Sequence, residues 1–339
     1  MPLDDVEPTI HAALVNERLP SVTVLIAARP DQAEIRAVSA SRLLDYPQDR
    51  LEVLVARGNH PSAQRNAGLH AALGELIYFL DDDSAPEPAG LRRATAHFTD
   101  PQVMMAGGPN LCPPGAPWLE QVFALVLGSW LAFGPSRARY APVGALRQSS
   151  EKELILCNLA ARRDALLRLG GFNEALYPNE ENALMDELQR QGGKLIYDPQ
   201  LVVYRRPRSS LKAFARMLRT YGRGRAEQFR VNPTPGSAVN FVPPLFLLWL
   251  AALPFLVVLT PPGKWWLLPL AVYAALLLAQ TAVLAARGGG LRSLAAAPLI
   301  LLTHILYGYG FWRGLFTSLQ PPGRRAPVAV TLEKIKAMG

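Results

Sequence analysis

Three segments near the C-terminus, FVPPLFLLWLAALPFLVVL (241–259), WWLLPLAVYAALLLAQTAVLAA (265–286) and LAAAPLILLTHILYGYGFW (294–312), contain no Asp, Glu, Lys or Arg. A hydrocarbon core about 30 Å thick takes a helix of about 20 apolar residues, and each segment approaches or exceeds that length. Covering three such helices in a soluble domain would need a large polar shell, and little of the 339-residue chain is left to supply one. The segments therefore read as membrane-inserted helices. His304 lies inside the third, where a polar group is costly. It reads either as a functional group or as one end of a helix–helix hydrogen bond.

The membrane tract confines a water-soluble domain to roughly the first 235 residues, and the pattern there is different. SVTVLIA (21–27), LEVLVA (51–56) and ELIYFL (75–80) are short β-rich runs, with helix-like stretches at 32–44 and 61–73 between them. Strand, helix, strand, helix, strand predicts an α/β fold with a parallel sheet. Ligands of such sheets bind beyond the carboxyl ends of the strands. The third run ends in Asp81, Asp82 and Asp83. Three adjacent carboxylates repel one another unless a positive group sits among them, so the run reads as either a solvated turn or a cation site.

The formal charge is +8, and the basic residues peak between Arg205 and Arg230, just before the apolar tract. That placement suits an anionic membrane surface, and no nucleic-acid-binding motif accompanies it. Nucleic acid is therefore not expected as a partner. In 209–230, Leu211, Phe214, Ala215 and Leu218 share one helical face while Lys212, Arg216 and Arg219 turn elsewhere, the pattern of a helix lying on a membrane. WLEQVFALVLGSWLAF (118–133) is apolar nearly all round but too short to span, which leaves a core helix or an interfacial one. Cys112 and Cys157 lack metal-ligand spacing and fit a reducing compartment. The acidic MPLDDVEPTI start has no apolar core and does not read as a signal peptide.

Five stretches in order, SVTVLIAARPD, LDYPQDRLEVLV, AQRNAGLHAALGELIYFLDDDSAPEP, CNLAARRDALLRLGGFNEAL and NEENALMDELQRQGGKLIYDPQLVVYRR, resemble the family-2 glycosyltransferases. The similarity runs through most of the first 230 residues. It is nearest to membrane-anchored bacterial enzymes of polysaccharide biosynthesis, of the succinoglycan-assembly type. The resemblance implies a Rossmann-like GT-A domain with a mostly parallel sheet over 1–208. An interfacial helix and linker (209–235), about three transmembrane segments (236–318) and a basic tail (319–339) would follow. It also implies an inverting hexosyltransferase in the bacterial inner membrane, multi-pass, with its catalytic domain cytoplasmic. Such an enzyme moves one sugar from a nucleotide-sugar, expected to be a UDP-sugar, to a lipid-linked polyprenyl acceptor.

By the same resemblance, Asp81 and Asp83 would hold a divalent metal, Mg²⁺ or Mn²⁺. Asp81 and Asp82 would also sit by the nucleotide with Arg29, Asp31, Arg57, Arg65 and Asn66. Glu181 would be the general base, with Glu180 in reserve. Two positions depart from the family pattern. Arg57 replaces an acid where a nucleobase is commonly read, and Arg205 stands where relatives often place a metal-binding His. Arg205, Arg223 and Arg225 are accordingly candidates for direct contact with the donor diphosphate. Two other readings stay open, a polyprenyl-phosphate sugar synthase and a non-catalytic membrane scaffold on a degraded transferase domain. Three spans would export the tail with Arg324, Arg325, Lys334 and Lys336, against the positive-inside tendency. One segment is therefore expected to re-enter or lie shallow, the first being the candidate on account of Pro243, Pro244 and Pro254.

Overall fold

The computed structural model describes residues 19–176, 179–231, 233, 235–261, 263–319 and 329–335. The N-terminal stretch, Arg324, Arg325 and Lys336 lie outside these. The β-rich runs form β1 (Val22–Ala28), β2 (Leu51–Arg57) and β3 (Leu76–Asp81), with β1 paired in parallel to both others. The intervening helices are α1 (Arg36–Ser41) and α2 (Pro61–Ala71). α2 begins on a proline, whose missing N–H is an orphan at a helix start anyway, and His60 Nδ1 accepts the Ala63 amide at 3.4 Å. α1 is shorter than the pattern predicts. The chain leaves it at Arg42 to bury Leu44 and Tyr46, whose hydroxyl donates to the Pro20 carbonyl at 2.6 Å.

The chain continues through β4 (Ala85–Pro86), α3 (Gly90–Ala96), β5 (Val103–Gly107) and β6 (Asn110–Leu111). Two apolar helices follow, α4 (Trp118–Leu127) and α5 (Trp130–Phe133). Then come β7 (Arg147–Gln148), β8 (Asn158–Arg162), α6 (Arg163–Arg168), α7 (Glu180–Arg190), β9 (Lys194–Tyr197) and β10 (Val203–Tyr204). A further strand, β11 (Thr331–Ile335), comes from the C-terminal tail. The main sheet runs β11-β2-β1-β3-β8-β5-β9-β7, and β4-β10-β6 form a second, small one. The β2-β1-β3 core is parallel, and β8 lies antiparallel to both β3 and β5.

Each face of the main sheet buries its own apolar layer. One packs against Ala37 of α1 and Leu91 and Ala94 of α3, the other against Leu69 of α2 and Leu184, Met185 and Leu188 of α7. A polar knot ties the sheets together. The Tyr78 hydroxyl donates to Asn158 Oδ1 at 2.9 Å, and Asn158 Nδ2 donates to the carbonyls of Leu201 and Pro109 at 2.7 and 3.2 Å. All three Asn158 bonds are buried, which is how a polar side chain is accommodated inside a core.

The helical half consists of α8 (Leu211–Val231), α9 (Val242–Leu259), α10 (Leu268–Leu284) and α11 (Leu291–Phe316). The amphipathic pattern of α8 is present, with protein covering Phe214 and Leu218 of its apolar face and Leu211 left exposed. Phe214 and Leu218 are fully buried in a cluster with α4 and α11, Phe214 stacking on Phe123 at 4.2 Å, whereas Lys212, Arg216 and Arg219 are exposed. α4 is a core helix, with Val122, Phe123 and Val126 buried. His304 links three elements. Its Nδ1 pairs with the Tyr273 hydroxyl of α10 and its Nε2 with the Leu131 carbonyl of α5, both at 2.9 Å.

α8 and α11 run side by side, their backbones close enough that only glycine fits at the contact. A Cβ on Gly222 would collide with the Tyr307 carbonyl, and one on Gly310 with the Arg219 carbonyl. Replacing Gly222 by Leu should therefore force the helices apart, and overpacking of this kind costs about 1–3 kcal/mol or more. Gly115→Ala, whose Cβ would meet open space, should stay within about 0.5 kcal/mol. Thermal melting of both variants in detergent checks this, and equal shifts would contradict it.

Candidate active site

The turn after β3 is closed by Ser84. Its amide donates to the Asp81 carbonyl at 3.0 Å and its hydroxyl accepts the Asp81 amide at 3.2 Å. The three aspartates are thereby held at the carboxyl ends of the parallel strands. A run of alternating charge then crosses the site. Arg65 of α2 reaches Glu180 Oε1 through Nη1 and Asp81 Oδ1 through Nη2, each at 3.1 Å. Arg205, just beyond β10, reaches Asp81 Oδ2 at 3.1 Å and Asp83 Oδ1 at 2.5 Å. The repulsion among the aspartates is relieved by arginine.

The titration behaviour follows from this arrangement. Burial alone would raise the Asp81 carboxyl, but Arg205 and Arg65 outweigh it and hold the group below the ordinary carboxylate range. Burial likewise opposes the charge on Arg205, and Asp81, Cys157 and Asp83 override it in the other direction. Glu180 is 2% exposed. Burial, then the neighbouring Glu181 charge, push its carboxyl up to about 7 against the pull of Arg65. Both glutamates lie in the first turn of α7, where the helix N-terminus favours an anion.

These groups open into one cavity of about 1090 Å³. Ligand pockets are commonly about 300–1,000 Å³, so the space exceeds that of a single ordinary ligand. One end is formed by Ala28, Arg29, Gly58, Arg65, Asp81 and Asp82, at the strand ends. The other is formed by Phe246 of α9, Tyr273 and Leu276 of α10 and His304 and Tyr307 of α11. Glu180, Glu181 and Arg205 line it as well. Among the described residues, seven arginines and lysines face four carboxylates on its wall, so the interior favours anionic ligands.

The sequence-predicted residues divide into two groups. Arg29, Arg65, Asp81, Asp82, Glu180, Glu181, Arg205 and Arg225 are on the cavity wall, and Asp83 adjoins it through Arg205. Asp31 is exposed outside the wall. Asn66 holds the turn ahead of α7, donating to the Phe172 carbonyl and Glu174 and accepting the Phe172 amide at 2.8 Å. Arg223 pairs with Glu227 at 3.4 Å on its own helix. Arg57 is engaged at the sheet edge. It binds Glu333 of β11 at 2.9 Å and the Gln32 carbonyl at 2.8 Å, so the departure from an acid matches a carboxylate on the neighbouring strand. Sequence reasoning missed Arg139, Lys152 and Arg208 on the wall. None belongs to a quoted motif, and only tertiary structure brings them to the site.

The resemblance gives Asp81 and Asp83 to a divalent ion, which prefers about six oxygen ligands. Both Asp81 oxygens and one of Asp83 are already committed to arginine. Among the described residues no group of three or more His, Cys, Asp or Glu side chains could hold a metal. The donor set does not make a metal centre of its own, and no step below passes through one.

The raised Glu180 carboxyl makes a signed prediction. A group whose folded value exceeds its unfolded one contributes stability at low pH that is lost as pH rises through the folded value, here about 7. The melting temperature should fall from about pH 5 to about pH 8, and Glu180→Gln should flatten that fall. An unchanged slope in the variant would contradict the assignment.

Comparison with known proteins bears on this site. The family described as glycosyltransferase like family 2 matches residues 5–222. The pre-mycofactocin glycosyltransferases of two Mycobacterium tuberculosis strains are 29% identical over 170 residues, covering 48% of this chain and 33% of theirs. The chain thus spans about a third of the length of the curated relatives it matches. A mannosyltransferase from Pyrobaculum calidifontis, solved in complex with GDP-Man and Mn²⁺, aligns over 89% of this chain and 88% of that one. Its identity is 18% and its TM-score 0.57, a likeness of fold. With more than half of its length matched by the family model and the GT-A architecture in place, this chain belongs to the family-2 glycosyltransferases.

Proposed function

We propose that the protein transfers one sugar, with inversion, from a nucleoside-diphosphate sugar to a polyprenyl-linked acceptor held in the plasma membrane of a bacterium. The observation that carries this reading is the single cavity running from the strand-end carboxylates and arginines to the apolar helices α9, α10 and α11. The donor belongs at the strand-end mouth, its diphosphate toward Arg205. The acceptor's isoprenoid belongs at the apolar end, which puts its reacting hydroxyl near Glu181.

In the reaction the acceptor oxygen attacks the anomeric carbon opposite the diphosphate. A glycosidic C–O bond forms, the bond from sugar to diphosphate breaks, and the hydroxyl proton passes to the Glu181 carboxylate. Glu181 suits this role better than Glu180, whose carboxylate is buried and already bound to Arg65. The departing diphosphate gains one negative charge as that bond breaks, and Arg205 is the fixed cation available to stabilise it. Removing one preorganised donor of this kind typically costs about 10²–10³-fold. Arg139 interacts electrostatically with Glu181, and Arg225 adds further positive charge to the same wall. They favour, as a second reading, a polyprenyl phosphate whose own oxygen is the nucleophile and needs no base.

The test supplies UDP- and GDP-linked sugars to membranes containing polyprenyl-linked acceptors and follows label into the lipid extract. Incorporation into water-soluble acceptors alone would overturn the membrane-acceptor reading. Glu181→Gln should lower turnover by about 10²–10⁴-fold, and unchanged turnover would select the phosphate nucleophile. Arg205→Ala should lose about 10²–10³-fold, while wild-type transfer should persist in EDTA. Complete loss in EDTA with rescue by Mn²⁺ would show that a metal, and not Arg205, carries the diphosphate.

A further inference from the structure

We infer that α11 does not cross the membrane. Only α9 and α10 enter the bilayer, as one excursion that leaves and returns on the catalytic side, and the C-terminal tail stays on that side. This inference rests on the membrane reading above and goes beyond it.

Four observations carry it. First, both ends of α11 are fastened to catalytic-side elements. Near its start Arg292 binds the Gln121 side chain of α4, and at its end Arg230 of α8 donates to the carbonyls of Gly314 (3.1 Å) and Thr317. Second, α11 lies parallel to α8 along most of that helix. Phe214 and Leu218 share a buried cluster with Ala296 and Ile300, and farther along Gly222 meets Tyr307 and Arg223 meets Gly314. An α11 that crossed a core about 30 Å thick would carry α8 in with it, placing the exposed Lys212, Arg216 and Arg219 in hydrocarbon. Charged side chains there are rare and costly unless they face a protein interior or water.

Third, the tail returns to the catalytic sheet. β11 pairs antiparallel with β2 from Thr331↔Arg57 to Ile335↔Val53, and Lys334 binds Glu52 at 2.8 Å. The sequence between Leu319 and Ala329 carries Arg324 and Arg325, charges that are costly in hydrocarbon. It is unsuited to recross a hydrocarbon core. Fourth, the apolar surface is unequally used. In α11, 39% of the most apolar stretch is buried within the protein, against 6% in each of the two preceding helices. Val258, Leu259 and Leu278 are each more than 70% exposed, an apolar face matched to lipid.

The alternative occupant of that face, a second copy of this chain, would leave the tail on the same side and predicts a protein released from membranes at alkaline pH. With α11 on the catalytic side, acceptor and product share one leaflet, and the helices supply no conduit for a glycan.

The test places single cysteines at Leu43, Arg287 and Ser318 in the full-length protein, all three being exposed positions. Leu43→Cys reports the side of the catalytic domain. Wild type, with Cys157 buried and Cys112 half-buried, is the blank. A membrane-impermeant maleimide is applied to vesicles of either orientation. Arg287→Cys and Ser318→Cys should both react only where Leu43→Cys does, since a crossing α11 would put them on opposite faces. Reaction of either from the opposite side overturns the inference. Where a position stays unlabelled, protease digestion of a C-terminal epitope decides. Cleavage from the Leu43 side supports the inference and protection overturns it. Release of the protein by alkaline carbonate would overturn the membrane reading itself, so the two failures are distinguishable.

Discussion

The two arginines that share Asp81 hold the site together. Arg65 joins Asp81 to Glu180, and Arg205 joins Asp81 to Asp83, so four separate parts of the chain meet through alternating charge. In the buried Arg65–Glu180 pair, removing one partner strands the other, which typically costs about 3–5 kcal/mol. The arrangement therefore fixes the distance between the strand end that carries the aspartates and the helix start that carries the acid pair. It also relieves the repulsion between Asp81 and Asp83 at the end of a buried strand. The positive charge needed there is built from side chains whose positions are set by α2 and by the strand before Arg205.

A second constraint, the close contact of α8 and α11, sets where the apolar half of the molecule can sit. An Arg or Lys at a bilayer centre costs about 2.5–3.5 kcal/mol on insertion scales. On the inference that α11 does not cross, the three exposed cations on α8 stay in water. Glycine at 222 and 310 permits the contact that enforces this. The same packing shapes the apolar end of the cavity, because Tyr307 and His304 project from α11 into it. Fold stability, membrane placement and the acceptor end of the cavity are in this sense one problem.

Much of this is legible in the sequence because it depends on local pattern. The three strands, the carboxylate run at a strand's end and the charge-free tract each follow from residues adjacent in the chain. What the sequence leaves open depends on distant partners. An amphipathic pattern over 209–230 states that one face of α8 is covered, but not that α4 and α11 cover Phe214 and Leu218. The departure at Arg57 has no local rationale, and Glu333, which binds it, lies 276 residues away. Arg139 reaches the cavity by bonding Asn182 of α7 at 2.6 Å, a contact no motif encodes.

The central claim is that donor and lipid acceptor occupy opposite ends of one cavity and meet at Glu181. The most direct measurement is a structure of the full chain with a nucleoside diphosphate and a short polyprenyl phosphate bound together. The account predicts diphosphate oxygens within hydrogen-bond distance of Arg205 and the isoprenoid between Phe246, Tyr273 and Tyr307. An isoprenoid bound outside that space, or a diphosphate remote from Arg205, would contradict it.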